Sequence, residues 1–386
     1  MKIKQVSEIL NNVFHEVIGE SGNVTEDLSN IVDVGRAITS TTQWGNNFEN
    51  YVGKIIDKVG RTIFKDDVYK GNTFNIWRDN WEYASVLEKV RCEVGDYREN
   101  PVWDLSNYTP AVFSFEKPDV AAKYFNSKTT FEIKLSIAKK QAESAFNSAG
   151  DMNRFFSMIE NRVKTKMEVA KEELARRTIV NLIAEKIKAN NNVVNLLSEY
   201  KTETGVTINA SKAMNDKDFL KFASKKIGMY KKFITELSML YNDDGYPTFT
   251  PAERRNLLLI TDFSQSLNNN LYGDTYNEEY VKLDGFSEIS YWQGRGTNNN
   301  YSDRSSIDVL PASFGGDAGV ENANVVKKSG IVAVLFDKNG CMCCNETPYI
   351  DSIYNPEGRF YNYWYRFDCS YFNDTAENCI VFTIED

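Results

Sequence analysis

The stretch that decides the fold runs from Asp151 to Ala189, DMNRFFSMIENRVKTKMEVAKEELARRTIVNLIAEKIKA. It contains neither glycine nor proline, and Phe155, Met158, Ile159, Val163, Met167, Ala170, Leu174, Ile179, Leu182, Ile183 and Ile187 recur at helical spacing. Asp151 follows Gly150 as a candidate N-cap, and the run Asn190-Asn191-Asn192 ends the helix. At ~1.5 Å per residue such a helix is roughly 55–60 Å long, well beyond the ~30 Å of a small domain. Its apolar positions drift rather than keep strict heptads, so the spacing predicts the spine of an elongated slab and not a coiled coil.

Before this helix, Val86, Val90, Cys92 and Val94 alternate with Leu87, Lys89, Arg91 and Glu93, and Phe131, Ile133, Leu135 and Ile137 alternate with Glu132, Lys134 and Ser136. Both stretches read as strands with one apolar face. The residues between them, Gly95–Lys128, carry Pro101, Pro110 and Pro118. The reading is a pair of strands joined by a long projecting loop, a ribbon that needs another surface to lie on. Further upstream, Val6, Ile9, Leu10, Val13 and Val17 make one stripe of a short helix, and glycines interrupt the helical stretches that follow, so residues 1–75 read as an arm with little core of its own.

After the spine, Phe219, Phe222, Ile227, Tyr230, Phe233, Ile234 and Leu237 form a second amphipathic helix capped by Asn215 or Asp216. Leu257–Ile260 reads as a buried strand, Ile289–Trp292 as another, and Gly294–Asn324 as a polar loop. From 331 to 386 everything reads as β. Ile331–Phe336 runs into the turn Asp337-Lys338-Asn339-Gly340, a long strand puts Tyr361, Tyr363, Tyr365, Phe367, Cys369 and Tyr371 on one face, and Cys379–Ile384 follows. The class is α+β.

Composition removes several functions. The 386 residues are 42% hydrophobic and 26% charged, a globular balance, and no apolar run approaches the ~18 residues of a membrane span. The N-terminus alternates polar and apolar residues and does not read as a signal peptide, so the six cysteines are expected to be reduced thiols. Net charge is −9, and basic pairs such as Lys139-Lys140, Arg176-Arg177 and Lys231-Lys232 are scattered, which disfavours tight nucleic-acid binding.

The candidate sites are weak. His15, the sole histidine, lies on the polar face of the first helix, where a solvated role outweighs that of a catalytic base. Gly285-Phe286-Ser287-Glu288-Ile289 lacks the second glycine of a nucleophile elbow, and Lys328-Ser329 lacks the glycines of a phosphate loop. Gly315-Gly316-Asp317-Ala318-Gly319 reads as a flexible loop. Cys341, Cys343 and Cys344 suggest a soft metal, yet alternation makes Cys341 and Cys343 small hydrophobes on one face of a strand. Asp337-Lys338-Asn339-Gly340 and Asp243-Asp244-Gly245 resemble calcium-loop openings but read better as turns. The aromatic strand from Phe360 to Phe372, with Asn362, Arg366 and Asp368, is the one candidate for stacking on sugars or bases. No catalytic, cofactor-binding or metal residue is nominated, and no enzymatic activity or cofactor is expected.

The order of parts resembles the major capsid protein of tailed bacteriophages, the Hong Kong 97-type fold. The segments Asn355-Pro356-Glu357-Gly358-Arg359-Phe360-Tyr361-Asn362-Tyr363-Trp364 and Glu377-Asn378-Cys379-Ile380-Val381-Phe382 are similar to head proteins of small short-tailed phages. The resemblance implies an N-terminal arm (1–75), a peripheral domain over 76–189 with an extended two-stranded loop at about 84–137 and the spine at 151–189, an inserted axial domain (190–330), and C-terminal strands (331–386) returning to the peripheral sheet. It further implies pentamers and hexamers of the chain forming an icosahedral shell, a virion location after assembly in the bacterial cytoplasm, portal and scaffolding proteins as partners, weak contact with packaged double-stranded DNA, and no membrane. A mildly acidic wall suits that task, since tight contacts would hinder packing and release. Two other readings are an encapsulin-like compartment and a cytosolic carbohydrate-binding protein using residues 354–372.

Overall fold

Ile331–Asp337 is buried from end to end, and the structure is built outwards from it. The computed structural model describes residues 72, 74–78, 87–93, 117–138, 149–270, 283, 285–293, 300–310, 325–345 and 349–386, with the backbone alone at 149–158 and 160. The predicted arm, apart from its last few residues, lies outside the described residues, as do His15 and Gly315–Gly319.

In chain order the strands are β1 (Trp77–Arg78), β2 (Leu87–Glu93), β3 (Asp119–Phe125), β4 (Lys128–Ala138), β5 (Val193–Asn195), β6 (Arg255–Ile260), β7 (Ser287–Ile289), β8 (Ile307–Val309), β9 (Val326–Lys328), β10 (Ile331–Asp337), β11 (Cys341–Asn345), β12 (Tyr349–Asn355), β13 (Phe360–Asn373) and β14 (Cys379–Thr383). The helices are α1 (Ala149–Ala189), α2 (Leu196–Thr204), α3 (Ala210–Ala213), α4 (Lys217–Phe233), α5 (Thr261–Asn270) and α6 (Tyr301–Arg304).

The spine is α1, as expected, and Asn190 and Asn192 end it by taking positive φ values of 49° and 60°. Asparagine tolerates that conformation better than most residues, so the asparagine run stops the helix through its backbone. Leu174, Ile179, Leu182 and Ile183 along it are fully buried against both sheets. The predicted second helix is α4, capped by Asp216, whose Oδ1 accepts from the Phe219 N–H at 2.8 Å, but it stops at Phe233, short of the expected Leu237, which is exposed.

The first sheet has the order β5-β14-β10-β6-β7, with α2, α4 and α5 beside it. Because both faces of β10 are covered, all its side chains are buried, and the strand reads as an unbroken apolar run. β14 leaves this sheet past Gly330, whose φ of +75° lets its backbone meet that of Ile384, where a Cβ would lie 2.3 Å from the Ile384 carbonyl oxygen. The second sheet has the order β1-β11-β13-β12, with β4 paired along the other side of β13.

Four expectations change. The stretch 131–137 does not pair with 87–93: β4 pairs with β13, where the Phe131 and Phe367 rings stack at 5.2 Å, and β2 pairs with β3. Phe131, Ile133 and Ile137 are therefore covered by their own chain. The C-terminal strands do not all return to one peripheral sheet, because β10 and β14 lie at the centre of the first sheet and only β11, β12 and β13 join the second. The strand predicted at 289–292 is β7, and Trp292 is buried beyond its end with Nε1 donating to the Ile331 carbonyl at 2.8 Å. Within 294–324, the described residues form α6 and β8, and β8 pairs with β9 rather than belonging to a loop.

Candidate functional site

The aromatic strand is not a ligand platform. Tyr361, Tyr363, Tyr365 and Phe367 are buried in the core, and burial pushes the Tyr365 hydroxyl well above its ordinary range. The opposite face is occupied by polar neighbours from its own sheet: Arg366 meets Glu132 and Asp351, each at 2.7 Å, Thr130 donates to Asp368, and Ser136 bonds Asn362. Cys341, Cys343 and Cys344 are buried in β11, and burial pushes the Cys343 thiol up to about 12, so they serve as small hydrophobes. Lys328 is engaged with Glu385 at 2.7 Å, and Ser287 belongs to β7. Asp337 N-caps the turn after β10, and Asp243 pairs with Lys186. Among the described residues no three His, Cys, Asp or Glu side chains group to hold a metal.

What stands out is the ribbon of β2 and β3. Its two faces are reversed relative to a simple amphipathic strand. Val90, Val120 and Tyr124 are 59%, 60% and 65% exposed, and Cys92 is exposed beside them. The charged face turns inward instead. Lys89 Nζ donates to Asp374 Oδ2 at 2.8 Å and Glu377 Oε1 at 3.3 Å, and lies 5.3 Å from the centre of the Phe372 ring. Arg91 reaches Glu377 at 3.3 Å, and Lys123 bonds Asp244 and approaches Asp374 at 3.4 Å. The Asp374 side chain is only 1% exposed.

The grouping of Asp244, Asp374 and Glu377 under Lys89, Arg91 and Lys123 is not visible in the sequence, because the three acids sit on two segments far from the ribbon. A signal exists all the same: Lys89 and Arg91 alternate in phase, so both must leave the strand on one face.

Three buried carboxyls, Asp374, Asp337 and Glu185, titrate in opposite senses. For Asp374, burial pushes the carboxyl up, but Lys89 and Lys123 outweigh it and hold the group below its ordinary value of 3.8. Burial raises Asp337, against hydrogen bonds from the Asn339 N–H and Thr250, and it raises Glu185, against a hydrogen bond from Asn181. A carboxyl raised by folding holds its proton more tightly in the folded chain, so its contribution to stability grows as pH falls through that raised value. A lowered one contributes above its unfolded value and loses that contribution as pH falls through the folded one. Thermal stability is thus expected to hold or rise as pH falls from 7 through the range where Asp337 and Glu185 take up protons, and to fall once pH drops below the ordinary 3.8 of Asp374. Asp374→Asn should flatten the acid limb, and a melting series from pH 7 to 3 checks both signs.

The fold as a whole is shared with solved phage capsids. A chain of the Staphylococcus phage Andhra capsid superposes with a TM-score of 0.56 at 15% identity, covering 83% of this chain and 86% of that one. A chain in the structure of the head fiber and inner core protein of native bacteriophage P68 gives 0.54 at 15% identity, covering 82% and 86%. No curated protein matches the sequence. The mixed helix-and-sheet architecture agrees with the Hong Kong 97-type fold expected from the order of parts. The description "Phi29-like phage major capsid protein" matches residues 10–383, nearly the whole chain, and the chain belongs to that family, as a structural component of the virion head shell.

Proposed function

We propose that copies of this chain close into rings of five and six, and these into an icosahedral head shell around double-stranded DNA, with no reaction catalysed. The single observation that carries the reading is the ribbon that faces its own body with charge and the outside with Val90, Val120 and Tyr124. An apolar ribbon face left open on a subunit is suited to cover by a neighbour, and a shell offers one at every position. In this reading the ribbon and the second sheet form the periphery and α1 the spine. The first sheet with α2, α4 and α5 forms the axial part, so the axial portion of 190–330 also takes in β10 and β14. Portal and scaffolding proteins are the further partners, and assembly occurs in the bacterial cytoplasm.

Electron micrographs of the purified full chain test this: closed particles or capsomers are expected, and a stable monomer at tens of micromolar, with or without a scaffold, would overturn it. Contact with the genome is expected to be weak and salt-sensitive. Net charge is −9, and the described basic side chains Lys89, Lys123, Lys186, Lys226, Arg304 and Arg366 are engaged with carboxylates of the same chain. Sub-micromolar binding of the unassembled subunit to duplex DNA at physiological salt would refute that expectation.

A further inference from the structure

The ribbon is seated where the chain passes from one sheet to the other. The turn Lys338–Gly340 joins β10 of the first sheet to β11 of the second, and residues 374–378 carry β13 of the second back to β14 of the first. Lys89 grips both turns at once, donating to the Asn339 carbonyl at 2.5 Å on one and to Asp374 and Glu377 on the other. The turns are also locked together, with the Asp374 N–H donating to the Gly340 carbonyl at 2.8 Å. A Cβ at Gly340 would stand 3.1 Å from the Glu377 Cβ, so the approach is close enough to favour glycine.

The end of the spine reaches the same place. Lys186, whose side chain is 0% exposed, pairs with Asp243 at 3.0 Å and donates to the Thr375 carbonyl at 3.3 Å. Asn191 donates to Asp243 at 2.7 Å, and the Asp243 N–H donates to the Thr375 carbonyl at 3.1 Å. The neighbouring Asp244 is held by Lys123 of the ribbon. The ribbon's cations therefore bind both turns that cross between the sheets and, at Asp244, the loop whose Asp243 meets the end of the spine.

We propose that Lys89, Arg91 and Lys123 are a charge latch that couples the tilt of the ribbon to the angle between the two sheets. Ion pairs are suited to that work. A packed apolar seat resists small shifts, whereas partly exposed cations can trade a carboxylate for water. The buried acid makes the exchange two-state: Asp374 is paired when the ribbon is down and must be hydrated when the ribbon lifts, because a charge left buried and unpaired is strongly disfavoured. A neighbouring subunit that takes hold of the outer apolar face, which rests on the shell reading above, would then pull on the seam between the sheets as well as on the ribbon.

Two distances in the full, unassembled chain test the coupling by paired spin labels. Cys92 is exposed and the other five cysteines are buried, so Cys92 with Lys221→Cys reads the ribbon against the first sheet. In a Cys92→Ser background, Lys221→Cys with Glu357→Cys reads one sheet against the other. Both distance distributions are expected to be narrow in the parent and at least twice as wide in Asp374→Asn. Lys89→Met should do the same while leaving the acidic turn intact and keeping an unbranched stem beside Phe125 and Phe372, which guards against a variant that merely disturbs the turn. Unchanged widths in both variants would overturn the latch, and a ribbon that loosens while the sheet-to-sheet distance stays sharp would overturn the coupling. Neither result bears on shell formation, which the micrographs of the parent chain decide separately.

Discussion

Val90→Asp combined with Val120→Asp is expected to give a subunit that folds normally and forms no shells. Both side chains are mostly exposed, so the folded subunit loses little packing. Each would forfeit about 1.5–3 kcal/mol of apolar burial if a neighbour covers it, and each adds a carboxylate that must be desolvated at the contact. A loss of about 3–6 kcal/mol per contact weakens association by roughly 10²–10⁴-fold, and a ring repeats the loss at every contact. Light scattering and electron microscopy would register the missing particles, and an unchanged cooperative melt would show that the fold survives. Shells at parental yield would mean that the outer face of the ribbon is a free surface.

The largest effect on folding is expected at Ala184→Pro. Ala184 is fully buried near the C-terminal end of α1, where the helix touches both sheets. Proline there removes one helical hydrogen bond and drives its ring into the preceding turn, at a cost of about 3 kcal/mol or more before any loss of packing. That is a large fraction of the 5–15 kcal/mol available to an ordinary domain, and the chain should be recovered largely unfolded. Asn190→Gly, six residues on, should be neutral or mildly stabilising, because φ is already 49° at that position. Urea unfolding of the pair separates a local helix effect from a general sensitivity of the spine.

How far the sequence could be read differs from element to element. The spine was legible because 39 residues without a breaker admit few other conformations, and its end is written in the asparagines that adopt positive φ. Strands buried on both sides, β6 and β10, were legible as short unbroken apolar runs. β3 was not: Asp-Val-Ala-Ala-Lys-Tyr-Phe has no period-two alternation, since its inward residue Lys123 is charged and its outward residues Val120 and Tyr124 are apolar. With β3 hidden, the clean alternation of β4 points to the ribbon, although its apolar face is continuous with the aromatic face of β13. The same inversion hid the ribbon's seat. A strand with lysine and arginine on one face and valine and cysteine on the other is ordinarily placed with its apolar side down, and here Asp374 and Glu377 reverse it. The hydrophobic pattern thus located strands and core but not partners across 250 residues or more, which depend on charges brought together only by the finished fold.

The position of β14 also sets a timetable for the chain during its synthesis. β14 lies between β5 and β10, and its parallel partner β5 ends at Asn195 whereas β14 begins at Cys379. At a ribosomal rate of about 5–20 residues per second, the gap corresponds to roughly ten to forty seconds in which the first sheet lacks its second strand. Asp374 and Glu377 emerge only just ahead of that strand, so a nascent chain cannot seat its ribbon on both acids before residue 377 has been translated.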